Sequence, residues 1–184
     1  MTQPAVRAVL DANVLFPFTL RDTLLRVAAA GYFQLYWSDE ILDETSRNLV
    51  ATGTITAEQA EHLIKTMTRA FPESMVEDYE SLMDAMPNDE KDRHVAAAAV
   101  KAGAEIIVTH NLRDFQMLPE GIEGQSPDDF LLNLLDFDPE GIVNVMRMQA
   151  AALTRPPRTF DELIGGLSRS IPRFVEAVRS IEVN

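Results

Sequence analysis

The sequence predicts an α/β fold: three layers, α/β/α, around a mainly parallel central sheet, with further helices at the C-terminus. Two observations predict it. Short apolar runs alternate with helix-forming segments, which implies a parallel sheet covered on both faces. The 184 residues also suffice for one domain with a two- or three-layer core. Val6–Leu10 reads as the first strand, buried on both faces. A helix follows from about Thr19 to Ala30, ended by Gly31, and Phe33–Trp37 is the second strand. Ser38 caps a helix with Asp39 and Glu40 in its first turn, where acids suit the helix dipole. Ile41, Leu42, Thr45 and Leu49 form its inner face, and Glu44 lies beside Ile41.

Thr56-Ala57-Glu58-Gln59 is a capping box for a helix running to about Ala70, before Pro72. Pro87-Asn88 marks a turn. An alanine-rich helix begins at Asp92 and ends at Gly103, and Glu105–Thr109 is the third strand. Ser126 caps another helix with Pro127 at its first position. Pro139 and Thr159-Phe160-Asp161-Glu162 open two more helices in the C-terminal tail.

Composition narrows the function. Hydrophobic residues make up 46% and charged residues 24%, ordinary values for a globular protein in water. No apolar stretch approaches the roughly 20 residues that cross a bilayer. The N-terminus has no basic segment followed by a hydrophobic core, so the cytoplasm is the expected location. The absence of cysteine excludes disulfides, thiolate metal sites and cysteine nucleophiles. A net charge of -13 argues against nucleic-acid binding through a broad basic surface. It does not exclude a nuclease, because cations can neutralise acids clustered at a site. Thirteen of the 16 basic residues are arginine, suited to bidentate phosphate or carboxylate contacts.

Four acids carry the functional signal: Asp11, Glu44, Asp92 and Asp114. Asp11 ends the first strand, Glu44 rides the next helix, Asp92 opens the alanine-rich helix, and Asp114 follows the third strand. Carboxylates at strand ends and adjoining helix starts point into one crevice of an open α/β sheet. There they could hold hard, oxygen-seeking cations such as Mg²⁺ or Mn²⁺. Asp43 rivals Glu44, and Asp89 and Glu90 rival Asp92 more weakly from the preceding loop. Asp39, Glu40, Asp128 and Asp129 are read as helix-dipole acids.

An aspartate at a strand end could also start phosphoaspartate chemistry, but the acid that mechanism needs two residues later is Asn13 here. Neither a Gly-rich phosphate loop nor a dinucleotide fingerprint occurs. His62, His94 and His110 lack metal-ligand spacing, and His94 reads as a packing or hydrogen-bonding residue. Phe33, Tyr36 and Trp37 read as core.

Leu10-Asp11-Ala12-Asn13-Val14, the helix around Glu44, Asp92-Arg93-His94-Val95-Ala96 and Ile107-Val108-Thr109-His110-Asn111-Leu112-Arg113-Asp114-Phe115 together resemble the PIN-domain ribonucleases. The resemblance is greatest to the bacterial Vap-type toxins, in a subgroup with a helical C-terminal extension. It covers roughly residues 5–130. It implies a PIN-like nuclease domain over residues 1–130, with a helical extension over 131–184 packed on the same domain. Asp11 would be the central metal ligand, with Glu44 and Asp92 completing the first site and Asp114 the fourth carboxylate. Asn13 would orient Asp11 or touch substrate, and Thr109 would steady the strand end. Many members have a Gly-Asp pair directly after this strand; here the pair is His110-Asn111, and Asp114 comes three residues later. Arg113 is either a phosphate contact or a solvated side chain.

The resemblance therefore implies a Mg²⁺- or Mn²⁺-dependent endoribonuclease, with one or two ions, from a type II toxin–antitoxin pair. RNA is the expected substrate. The apolar series Ile142, Val145, Met146, Met148 and Leu153 is read as core or packing, or as the face for a second copy or an antitoxin. Two other classes remain: a PIN-like binding module of weakened catalysis, suggested by Asn111, and a small-molecule phosphohydrolase.

Overall fold

A computed structural model describes residues 5–182. The chain forms two compact units, one containing the residues up to Phe16 with Phe33–Gln125, the other Pro17–Tyr32 with the residues from Ser126 onward.

The first unit holds a parallel four-stranded sheet in the order β2-β1-β3-β4, made of β1 (Val6–Leu10), β2 (Phe33–Tyr36), β3 (Ile106–Val108) and β4 (Glu123–Gln125). The alternation of strand and helix along the chain produces this α/β arrangement as expected. Burial of β1 is complete only over Ala8, Val9 and Leu10, because Arg7 near its start is exposed. From β1 the chain crosses to β2 on one side, while β3 lies on the other. The carboxyl ends of β1 and β3 thus flank a topological switch point, where open α/β sheets form their crevices. Leu10 pairs with Val108, so Asp11 and Thr109 leave the sheet side by side.

Asp11 caps a four-residue helix, α1 (Ala12–Leu15), that the apolar pattern did not reveal. Ser38 caps α3 (Asp39–Ala51) by accepting from Ile41 N at 3.2 Å, and Ile41, Leu42, Thr45 and Leu49 are all buried as expected. Both bonds of the Thr56–Gln59 capping box open α4 (Ala57–Ala70). The alanines of α5 (Arg93–Ala102) are fully buried from Ala96 to Ala99, and small side chains let this helix lie close on β1 and β3. Trp37 is core, packed edge-on to Phe71 at 5.8 Å, and Phe33 is buried with it.

Gly103 ends α5 at φ 63° in the left-handed region. A β-carbon there would also meet the Arg7 guanidinium at 3.2 Å. Gly103→Ala is therefore expected to destabilise the protein by about 1 kcal/mol in urea unfolding, whereas alanine in a helix interior would stabilise.

The sequence did not point to β4. Its residues, Glu123-Gly124-Gln125, are not apolar, and it joins the sheet through backbone pairing with β3. Short 3₁₀ segments at Glu80–Ala85, Glu90–Asp92 and Leu112–Phe115 likewise lie where no helical period is visible.

The second unit is helical: α2 (Phe18–Ala29), α6 (Pro127–Phe137), α7 (Pro139–Ala152), α8 (Phe160–Leu167) and α9 (Pro172–Glu182). Helix α6 packs on α7 and α9, and α2 on α7 and α8. Ile142, Val145 and Met146 are buried, while Met148 is exposed. Among polar residues, Thr23 donates to Gln149 Oε1 at 2.9 Å in the buried interior. No helix among the described residues is long and apolar enough to cross a membrane.

Candidate metal centre

The site grows from the paired ends of β1 and β3. Asp11 N donates to Val108 O at 3.0 Å, and Thr109 N to Gln125 O at 2.9 Å, so both residues are held by the sheet itself. Asp11 is 4% exposed. Its Oδ1 accepts from Ala12 N at 2.8 Å, and its Oδ2 accepts from Thr109 Oγ1 at 2.9 Å and Asn13 Nδ2 at 3.2 Å. Asn13 also donates to Thr109 Oγ1 at 3.0 Å and accepts from His110 N at 3.0 Å. Asn111 N completes the ring by donating to Thr109 Oγ1 at 3.0 Å. Burial raises the Asp11 pKa above its ordinary value; the Thr109 and Ala12 bonds oppose that rise and the charge of Glu44 adds to it.

Glu44 is half-buried on α3. His94, buried in the first turn of α5, lies between two glutamates: Nε2 is 3.8 Å from Glu44 Oε2 and Nδ1 3.8 Å from Glu40 Oε2. Asp43, the rival of Glu44, is instead exposed and paired with Arg47 at 2.7 Å along the same helix.

Asp92 stands at the N-terminus of α5 but makes no side-chain cap bond, so the capping reading of this acid does not apply. Its Oδ2 is shut away from solvent without a hydrogen-bond partner. Burial, then the charge of Asp11 and contact with Asp114, push the Asp92 carboxyl up to about 7. Asp114 goes the other way: Lys91 Nζ, 2.8 Å from its Oδ2, holds its pKa below the ordinary value. Asn111 Nδ2 donates to the same oxygen. The two acids thus lean in opposite directions, Asp92 towards its neutral form and Asp114 towards its charged form.

Asp89, Asp92 and Asp114 each offer a carboxylate oxygen, and these lie within 4.8 Å of one another. Asp11 and Glu44 adjoin the triplet electrostatically, Asp11 raising Asp92 and Glu44 raising Asp11. Arg113 is exposed on the same 3₁₀ turn as Asp114. His62 lies exposed on α4. In the sequence Asp89 is only a weak rival of Asp92, and nothing marks Lys91 by itself. The signal was present in Asp89-Glu90-Lys91-Asp92, because a 3₁₀ turn of period three aligns positions 89 and 92.

The raised Asp92 pKa has a consequence for metal-stripped protein. A carboxyl whose folded pKa is raised favours folding while protonated. Its contribution is full below the ordinary 3.8 and gone once the pH passes about 7. The thermal midpoint in EDTA should therefore fall as pH rises from 5 to 8, with a smaller fall in Asp92→Asn. Scanning fluorimetry over that range checks both.

Residues 7–113, which carry β2, β3 and most of β1 together with Asp11, Glu44, Asp89 and Asp92, match the PIN domain family. The chain belongs to the PIN domain family. Residues 127–180 match a second family, described as the VapC50 C-terminal domain. The chain is also similar to a Mycobacterium tuberculosis protein named "Putative ribonuclease VapC50", with 41% identity over 106 residues. That match spans 56% of this chain and 63% of the length of the mycobacterial protein.

Proposed function

We propose that the chain is a metal-dependent endoribonuclease that hydrolyses RNA phosphodiester bonds, acting in the cytoplasm as the toxin of a type II toxin–antitoxin pair. The observation that carries this reading is the gathering of Asp89, Asp92 and Asp114 within 4.8 Å of one another, in the same compact unit of a PIN-domain protein as Glu44 and the strand-end Asp11. The name of the mycobacterial relative, a ribonuclease, supports it.

The residues fit a divalent cation. The donors are all carboxylate oxygens, the set that Mg²⁺ and Mn²⁺ prefer. Asp92 Oδ2 is buried without a donor, and the acids raise one another's pKa, a repulsion that a cation would relieve. Asp11, Glu44 and Asp92 would hold the ion, and Asp114, the fourth carboxylate, would lie beside it. When bound, the ion offsets the charge of the scissile phosphate and lowers the pKa of water, which is the chemistry hydrolysis needs.

The chain's own groups do the positioning. Thr109 and Asn13 fix Oδ2 of Asp11, and Ala12 N fixes Oδ1, so the central carboxylate has one orientation. His94 Nε2 faces Glu44 Oε2 from α5 at 3.8 Å. Arg113 offers an exposed guanidinium suited to two phosphate oxygens. Because the net charge is -13, attraction for RNA must be local to such groups and to the bound cation. An antitoxin and a second copy of the chain are the protein partners of this reading.

A substrate panel tests it. Purified protein with Mn²⁺ should cut a mixed RNA pool to fragments bearing 5′-phosphates and leave a simple aryl phosphate untouched. Turnover of the aryl phosphate alone would indicate a phosphohydrolase. RNA binding without cleavage would indicate the binding module that Asn111, standing where an acid is expected, suggests.

A further inference from the structure

We propose that Lys91 supplies a built-in second positive charge to the centre, seated on Asp114, so that the chain takes one divalent ion at Asp11, Glu44 and Asp92. This deepens the metal-dependent reading above and rests on it.

Two acids of the same triplet are treated differently. Asp114 Oδ2 already accepts from two donors, Lys91 Nζ at 2.8 Å and Asn111 Nδ2. A carboxylate oxygen has about two lone-pair sites, so this one is saturated. Asp92 Oδ2, in the same cluster, is buried and has no donor at all. The ligand shortage is therefore on the Asp92 side and the cation surplus on the Asp114 side.

The backbone builds this seat. Asp89 accepts from Lys91 N at 3.2 Å, which holds the 3₁₀ turn Glu90–Asp92 closed. Asp89 N donates to Asp114 O at 3.4 Å, tying that turn to the one bearing Asp114. Asp114 N donates to Asn111 O at 3.2 Å, so the residue that replaces the expected acid also sets the lysine's partner. Lys91 is one of three lysines among 16 basic residues, and a lysine ammonium is a compact point charge that fits an ion's place better than a guanidinium. Asp114 is 16% exposed and Lys91 67% exposed, so the carboxylate end of the pair is sheltered while the ammonium end meets solvent. An ammonium has three donors, and Lys91 is exposed enough to offer the others to a phosphate oxygen.

The test is Mn²⁺ stoichiometry, read by electron paramagnetic resonance of free Mn²⁺ with the full chain. Wild type and Lys91→Arg should bind one ion. Lys91→Met should bind two, the additional one on the released Asp114. Asp114→Asn should still bind one, because Asp114 is not a ligand of that ion. Two ions on wild type, unchanged binding in Lys91→Met, or loss of the ion in Asp114→Asn would each overturn the role of Lys91. No Mn²⁺ on wild type would instead overturn the metal-dependent reading itself. Circular dichroism of each variant establishes that it is folded.

Discussion

Asp11→Asn should lower Mn²⁺-dependent RNA cleavage by at least about 10²-fold, the scale on which loss of one well-placed electrostatic group acts in a catalytic site. The same substitution should leave the metal-stripped protein folded and at least as stable as wild type. Asn keeps one oxygen, able to accept from Thr109 Oγ1 and Asn13 Nδ2, while its amide nitrogen then faces Ala12 N and that one bond is lost. What disappears is a buried charge whose pKa is raised by desolvation and by Glu44, which is a net cost to the folded chain. Activity and stability thus move in opposite directions, and parallel kinetics and thermal melts read the two separately. A site carboxylate that merely held the fold together would lose both.

Asp128→Ala should cost about 2–4 kcal/mol, the largest stability loss expected of a single acid outside the site. From the sequence Asp128 is a helix-dipole acid of α6, but the structure gives it a long-range role. Its two oxygens accept from Arg173 N at 3.1 Å and Phe174 N at 2.8 Å, capping the first turn of α9 across 45 residues of chain. Asp128 is 8% exposed and Phe174 is fully buried, so alanine would leave amides of that turn without an acceptor. The thermal midpoint should drop by on the order of 10 °C. Its neighbour Asp129 reaches the exposed side chain of Arg173, so Asp129→Ala should change stability by under about 1 kcal/mol. Denaturant titrations of the two variants side by side test the contrast.

Much of the fold was legible because local rules and burial agree in it. Ser38, Thr56, Ser126 and Thr159 all cap the helices they were expected to open, and Gly103 ends α5 in the expected left-handed turn. The helix expected from Thr19 to Ala30 runs Phe18–Ala29, and the third strand is Ile106–Val108 rather than Glu105–Thr109. Strand β4 and the 3₁₀ turns were hidden, since backbone pairing and three-residue turns leave no apolar period to read. The last helix, α9, begins at Pro172 within a tail that showed no separate boundary.

At the site, Asp11, Asn13 and Thr109 were legible as strand-end residues, and the sheet register brings them together. Asp92 was ambiguous between cap and ligand until the structure showed its side chain off the helix amides. Asp89 and Lys91 were obscured because their closeness to Asp114 depends on a contact between two turns far apart in sequence.

The most direct single measurement is metal add-back on stripped protein. Wild type and Asp11→Asn are freed of metal with EDTA, then given a mixed RNA pool with and without Mn²⁺. The expected result is cleavage by wild type with Mn²⁺ alone, and none by Asp11→Asn under either condition. Cleavage that persists without metal, or that Asp11→Asn retains in full, would contradict a metal-dependent ribonuclease centred on Asp11.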